Sequence, residues 1–172
     1  LQCLEESIKC TIPDYEKISL AQWTLCRQEV ILLNSIANTY ARMGDVNRAL
    51  QILSDIINFY ENSEVDILNH IETITMTIYN YTEWMGNCGK YAETIELYEK
   101  AIRMNVRVGR GKGLGGLLYG KAWNLKRINS GNIKACQKYC RQAYYLASLM
   151  REERYKNSIL KCGKINFGDF IV

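Results

Sequence analysis

"LLNSIANTYARMGDVNRALQILSDIINFYE" (residues 32–61) decides the fold. Leu33, Ile36 and Tyr40 precede its glycine; Leu50, Leu53 and Ile57 follow it. Both sets recur at intervals of three and four, the spacing of one apolar helix face. Between them stands "MGD", where Gly44 can take a left-handed conformation that is costly for other residues. Val46 and Ala49 lie two and five positions past the glycine. The stretch reads as helix, tight turn, helix, with a small residue where the two axes cross.

The pattern recurs twice. "TIYNYTEWMGNCGKYAETIELYEKAIRMN" (77–105) carries Gly89, followed at offsets of two, five and twelve by Tyr91, Thr94 and Ala101. Ile78, Tyr81, Met85, Ile95, Tyr98 and Ile102 form its apolar face. "AWNLKRINSGNIKACQKYCRQAYYLA" (122–147) carries Gly131, followed at the same offsets by Ile133, Cys136 and Ala143. A hairpin that cannot bury its own apolar face is stabilised by stacking on the next. These residues resemble the tetratricopeptide repeat (TPR) family across about 30 to 147, with Ala37, Tyr40, Gly44 and Ala49 in the expected slots. The glycine spacings of 45 and 42 exceed that family's usual period of about 34, so the helices should be longer than standard.

The resemblance implies an all-α fold, a right-handed superhelical array of antiparallel hairpins, in one domain spanning 1–172. Hairpins are expected at 30–62, 64–108 and 112–149. A helical remnant at 1–29 precedes them, and a capping helix at 151–166 follows, polar outward through Arg151, Glu152, Glu153 and Arg154. Ser63 is a plausible N-cap for the second hairpin. Pro13 disfavours helix at Ile12.

A narrower resemblance rests on "CTIPDYEKISLAQWTLCRQEVILLNSIANTYARMGD" (10–45), "LYGKAWNLKRI" (118–128) and "RQAYYLASLM" (141–150). These are similar to segments of bacterial transcription regulators of the XRE class, which place a helix-turn-helix DNA reader ahead of a TPR-like sensor. It implies a cytoplasmic sensor half that forms a homodimer and reaches DNA only through an upstream domain. A chain opening on Leu1 fits a fragment of that kind. Some such regulators answer to short peptides, so a short peptide or protein segment is the implied partner.

Stacked hairpins line a concave groove with first-helix residues. Counting back from the turn glycines places Asn34, Asn38 and Arg42 there in the first hairpin, and Tyr79, Glu83 and Asn87 in the second. In the third, counted from Ala122, Tyr119, Trp123 and Lys126 (or Arg127) follow. An Asn amide can pair with both the N–H and the C=O of an extended peptide. Tyr and Trp give contact area at low entropy cost, and Lys or Arg can hold a carboxylate.

Other chemistries find little support. "GRGKGLGGLLYGKA" (109–122) contains both G-x-G-x-x-G and G-x-x-x-x-G-K. The first needs a preceding strand, and "ELYEKAIRMNVRV" is helical in spacing. The second needs Ser or Thr after the lysine, and Ala122 stands there. The run is expected to be a flexible connector, giving at 109–116, that runs into the first helix of the third hairpin with a frayed or kinked start. Seven cysteines, an odd number without C-x-x-C, suit a reducing compartment. Cys136 and Cys140 share a helix face but lack partners for a metal site, so they read as buried free thiols. His70 has no Ser or Cys nucleophile arranged with it, so no enzyme and no cofactor are expected. No membrane span or signal peptide is read from the hydropathy.

Charge is segregated. Residues 1–99 hold six Lys/Arg and fifteen Asp/Glu, net −9; 100–151 hold twelve and none, net +12; 152–172 hold four and three, net +1. Nucleic-acid binding by the basic run is disfavoured because the charges spread over several helices without a stack of aromatics. A scaffold whose acidic end meets another copy's basic end is the alternative to a peptide sensor.

Overall fold

The computed structural model describes residues 1–15, 24–62, 66–129 and 132–171. Among them are eight helices and no strand: α1 (Gln2–Lys9), α2 (Arg27–Arg42), α3 (Val46–Asn62), α4 (Ile67–Asn87), α5 (Tyr91–Arg107), α6 (Leu114–Ile128), α7 (Ile133–Leu149) and α8 (Glu153–Phe167). The fold is all-α, and within each unit consecutive helices pack on one another as in a helical repeat. The chain divides into two compact units, Leu1–Trp84 and Met85–Val172, with the boundary inside α4. The expected N-cap Ser63 and turn glycine Gly131 lie outside the described residues.

The turn chemistry explains the helix ends. At Gly44 (φ +97°) the chain reverses, Gly44 N–H bonding Ala41 O and Asp45 N–H bonding Tyr40 O. The paired bonds satisfy carbonyls that the end of α2 leaves open. Asp45 then starts α3, its Oδ1 accepting from Arg48 N–H at 3.0 Å. The same pair of bonds closes α4 at Gly89, α5 at Gly109 and α7 at Arg151, the only described non-glycine residue with positive φ (+57°).

In the first unit, α2 and α3 pack with Ala37 and Ala49 wholly buried at their interface. Val30, Leu33, Ile36, Ile52, Leu53 and Ile56 complete that core, and Ile8 and Ile12 close it from the N-terminal side. A buried Val, Leu or Ile contributes about 1.5–3 kcal/mol, so this layer fixes the hairpin more firmly than helix propensity does.

In the second unit, α6 lies between α5 and α7, and α8 packs on α7. Here the structure corrects the expected loose connector. Only residues up to Gly113 form turns; α6 starts at Leu114, and Leu114 to Leu118 are buried without a break. The glycines serve close approach. A Cβ on Gly115 would lie 3.0 Å from Ala143 O, and one on Gly120 would lie 2.5 Å from the Tyr98 hydroxyl. Each helical glycine costs about 1 kcal/mol against alanine, and close packing of α5 and α7 on α6 offsets it. Glu152 ties the entry down by accepting from Gly113 N–H at 3.2 Å. Phe167 and Phe170 bury the chain end beside α7, where Arg141 Nε donates to Phe170 O at 2.7 Å.

Candidate ligand-binding surfaces

α2 and α4 meet along a polar seam within the first unit. Asn34, 2% exposed, donates from Nδ2 to Val30 O (2.9 Å) and Thr77 Oγ1 (2.8 Å), and its Oδ1 accepts from Asn80 Nδ2 (2.8 Å). Thr77 passes its own proton to Thr73 O (2.8 Å), and Thr73 Oγ1 meets the Tyr60 hydroxyl on α3 (2.8 Å). His70 joins this end, its Nδ1 3.3 Å from the Tyr60 hydroxyl, which makes it a packing histidine. Buried amides are stable only when paired. The seam therefore takes up Asn34 completely and joins three helices through it.

One helical turn on, Asn38 is half-buried. Its Oδ1 accepts from Trp84 Nε1 at 2.8 Å, while its Nδ2 has no hydrogen-bond partner among the described residues. Beyond it Arg42 and Glu83 are exposed. Partial desolvation holds the Glu83 carboxyl above its ordinary value, and the charge of Arg42 opposes this. Tyr79 is half-buried on α4. Of the residues expected at the binding surface, the first unit thus brings Asn38, Arg42 and Glu83 to one accessible edge and withdraws Asn34 from it.

Asn87 is exposed at the end of α4, within the second unit. On α6, Tyr119 and Lys126 border α8. The Tyr119 ring stands edge-on to Phe167 with centroids 6.4 Å apart. Its phenol is pushed above the ordinary value by burial and by the nearby Cys162 and Cys140 thiols. Lys126 Nζ donates to Asn166 O and lies 5.5 Å from the Phe167 ring centre. Trp123 is half-buried beneath the Arg127 guanidinium, 5.1 Å from its ring centre. This edge is aromatic and basic.

The structure adds Trp84, Thr77 and Asn80 on α4, and Asn166 and Phe167 on α8. The α4 partners had a sequence signal. Thr73, Thr77 and Asn80 at i, i+4 and i+7 form a polar stripe on a helix whose other faces are largely apolar. No group of three or more metal-binding side chains occurs among the described residues. Cys136 and Cys140 are buried free thiols, whereas Cys3, Cys10, Cys26 and Cys88 are exposed. No helix among the described residues is long and apolar enough to cross a membrane.

No curated protein matches the chain. The family model of the RNPP family C-terminal domain matches residues 19–167, nearly its whole length. Its members are TPR-like regulatory domains that bind peptides or proteins, in keeping with repeated hairpins and polar first-helix edges. The chain belongs to the RNPP family, as a C-terminal domain of that family.

Proposed function

We propose that this chain is the sensor domain of a cytoplasmic transcription regulator and binds a short peptide along its first-helix edges. Asn38 carries the reading. Its oxygen is held by Trp84, which orients the remaining Nδ2 donors toward a ligand carbonyl without the entropy loss of a freely rotating amide. Arg42 and Glu83 beside it can pair with a peptide's charged groups. Asn34, inside the seam, stiffens the α2–α4 contact and touches no ligand. DNA is reached through an upstream helix-turn-helix domain, and ligand binding shifts the population of regulator conformations.

Selection from a random library of short linear peptides against the chain tests this. A recurring sequence class recovered from wild type and lost with Arg42→Ala/Glu83→Ala is expected. Recovery of no class, or recovery indifferent to that pair, removes the peptide reading.

A second reading rests on charge. The two units carry opposite net charge, although the acidic part of the chain runs on to Glu99 in the second. Residues 1–84 hold five Lys/Arg and twelve Asp/Glu (−7), and 85–172 hold seventeen and six (+11), together the +4 of the chain. Such opposition suits homodimerisation in which one copy's acidic unit meets the other's basic unit. Sedimentation should then show a dimer that dissociates as salt screens the contact; a monomer at low salt excludes it.

A further inference from the structure

Within the second unit, α5, α6 and α7 enclose an open cleft of about 540 Å³. Ile102, Val106, Leu118 and Leu146 form an apolar wall. Val106 remains 63% exposed and Tyr145 at the rim 49%. The opposite end is polar, with Glu99, Arg103, Lys121 and Tyr139. A volume of several hundred Å³ with apolar walls and a few convergent polar groups is the form of a small-molecule site.

Lys121 is the residue that packing alone does not explain. It follows Leu114 and Leu118 at i+7 and i+3 on a buried face of α6, where an aliphatic residue would fill the space. Instead a lysine is buried to 6% exposure. Its Nζ donates to Glu99 Oε1 (2.9 Å) and the Tyr139 hydroxyl (3.0 Å), 4.2 Å from that ring's centre. Burial alone would lower its pKa; the Tyr139 and Glu99 bonds outweigh this and keep it protonated. Only the lysine end of this pair is buried, since the Glu99 side chain is 44% exposed, so the charge stands at the mouth of the cleft rather than sealed in a core.

Two cations share one carboxylate. Glu99 gives Oε1 to Lys121, and its Oε2 lies 3.5 Å from Arg103, whose side chain is 68% exposed. With Glu99 counted against Arg103 and Lys121 the polar end carries one net positive charge, and the stretch that follows Glu99, 100–151, contains no acid. The cleft and the Tyr119–Trp123–Lys126 edge lie on different faces of α6, so the two surfaces are separate.

We propose that the cleft binds a small apolar anion, an aliphatic carboxylate, with its chain on Ile102, Val106, Leu118 and Leu146 and its carboxylate at Arg103 in the field of Lys121. An occupant spans from Val106 to Leu114 and so ties α5 to α6 across the glycine turn between them.

Titration of the whole chain with sodium octanoate, followed by backbone amide NMR shifts, tests this. Octanol supplies the chain without the charge, and acetate the charge without the chain. Saturable shifts at the cleft with octanoate are expected, with octanol and acetate each at least about tenfold weaker, as expected when apolar and charge-assisted contacts both contribute. Arg103→Gln, at an exposed position, should weaken octanoate by about tenfold, the loss of one charge-assisted contact, with an unchanged unfolding midpoint. Val106→Trp, or Leu146→Trp if the first fails to fold, should fill the cleft and abolish binding. Equal affinity for octanol, insensitivity to Arg103→Gln, or no saturable octanoate shift overturns the proposal. So does an acidic amphipathic peptide that shifts the cleft where octanoate does not. None of these results bears on the peptide edge on α2 and α4.

Discussion

Replacing Asn34 by alanine separates a structural amide from a ligand-binding one. The side chain is 2% exposed and joins Val30, Thr77 and Asn80. A typical net hydrogen bond contributes about 1 kcal/mol, and a buried partner left unsatisfied costs about 1–3 kcal/mol. The bond to Val30 O returns a helical carbonyl to its usual partner, so its loss costs little. Thr77 keeps Thr73 O as an acceptor, which spares its donor. Asn80 Nδ2 loses its acceptor Asn34 Oδ1 and remains buried. Together with the vacated volume, Asn34→Ala should cost about 2–4 kcal/mol, from these hydrogen-bond terms and a small cavity term. Urea unfolding followed by circular dichroism gives the number. In the cycle with Asn80→Ala, the double mutant should recover at least about 1 kcal/mol relative to the sum of the singles, because no amide is then stranded. A cost under about 0.5 kcal/mol, typical of a solvated surface position, with no coupling, would refute the locked seam and return Asn34 to the ligand surface.

Arg151→Gly should stabilise the chain by about 1 kcal/mol, because a left-handed residue at that helix end strains any side chain; a lower thermal midpoint contradicts the turn geometry. With a thiol-alkylating reagent at mildly alkaline pH, Cys3, Cys10, Cys26 and Cys88 should react in the folded protein. Cys140, buried and pushed up to about 12, should react only after unfolding, and prompt labelling there would contradict its burial. The Lys121 bond holds the Glu99 carboxyl below its ordinary value. Its stabilising effect is thus full above the unfolded carboxylate value and lost as pH falls through the lower folded one. Glu99→Gln should therefore flatten the acid limb of the stability curve, read as the unfolding midpoint against pH; an unchanged limb would show the pair to be idle.

Much of the fold could be read from the chain because its turns are local. Gly44 and Gly89 end helices through bonds reaching only five residues back, and the apolar periods on either side are unambiguous. The glycine run at 109–122 was less legible. Low helix propensity argues for a loose start to the third hairpin at 109–116, yet Gly115 is helical and buried, with Ala143, 28 residues away, so close that a Cβ there would meet its carbonyl. The same limit applied to the proposed binding edge. Counting from the turns placed Asn34, Asn38 and Arg42 on one face of α2, but what lies opposite Asn34 is Asn80, 46 residues on. Likewise the α8 groups that engage Tyr119 and Lys126 have no local signature, since they follow from how the last helix docks.

The most direct test of the account is calorimetric titration of a library-selected peptide into wild type and Asn38→Ala. The predicted result is at least about a tenfold loss of affinity, from one oriented amide with its bonds to the peptide backbone. The unfolding midpoint should change far less than in Asn34→Ala. Equal affinity for the two proteins, with Asn38→Ala folded, would contradict the assignment of the α2–α4 edge as the peptide-reading surface.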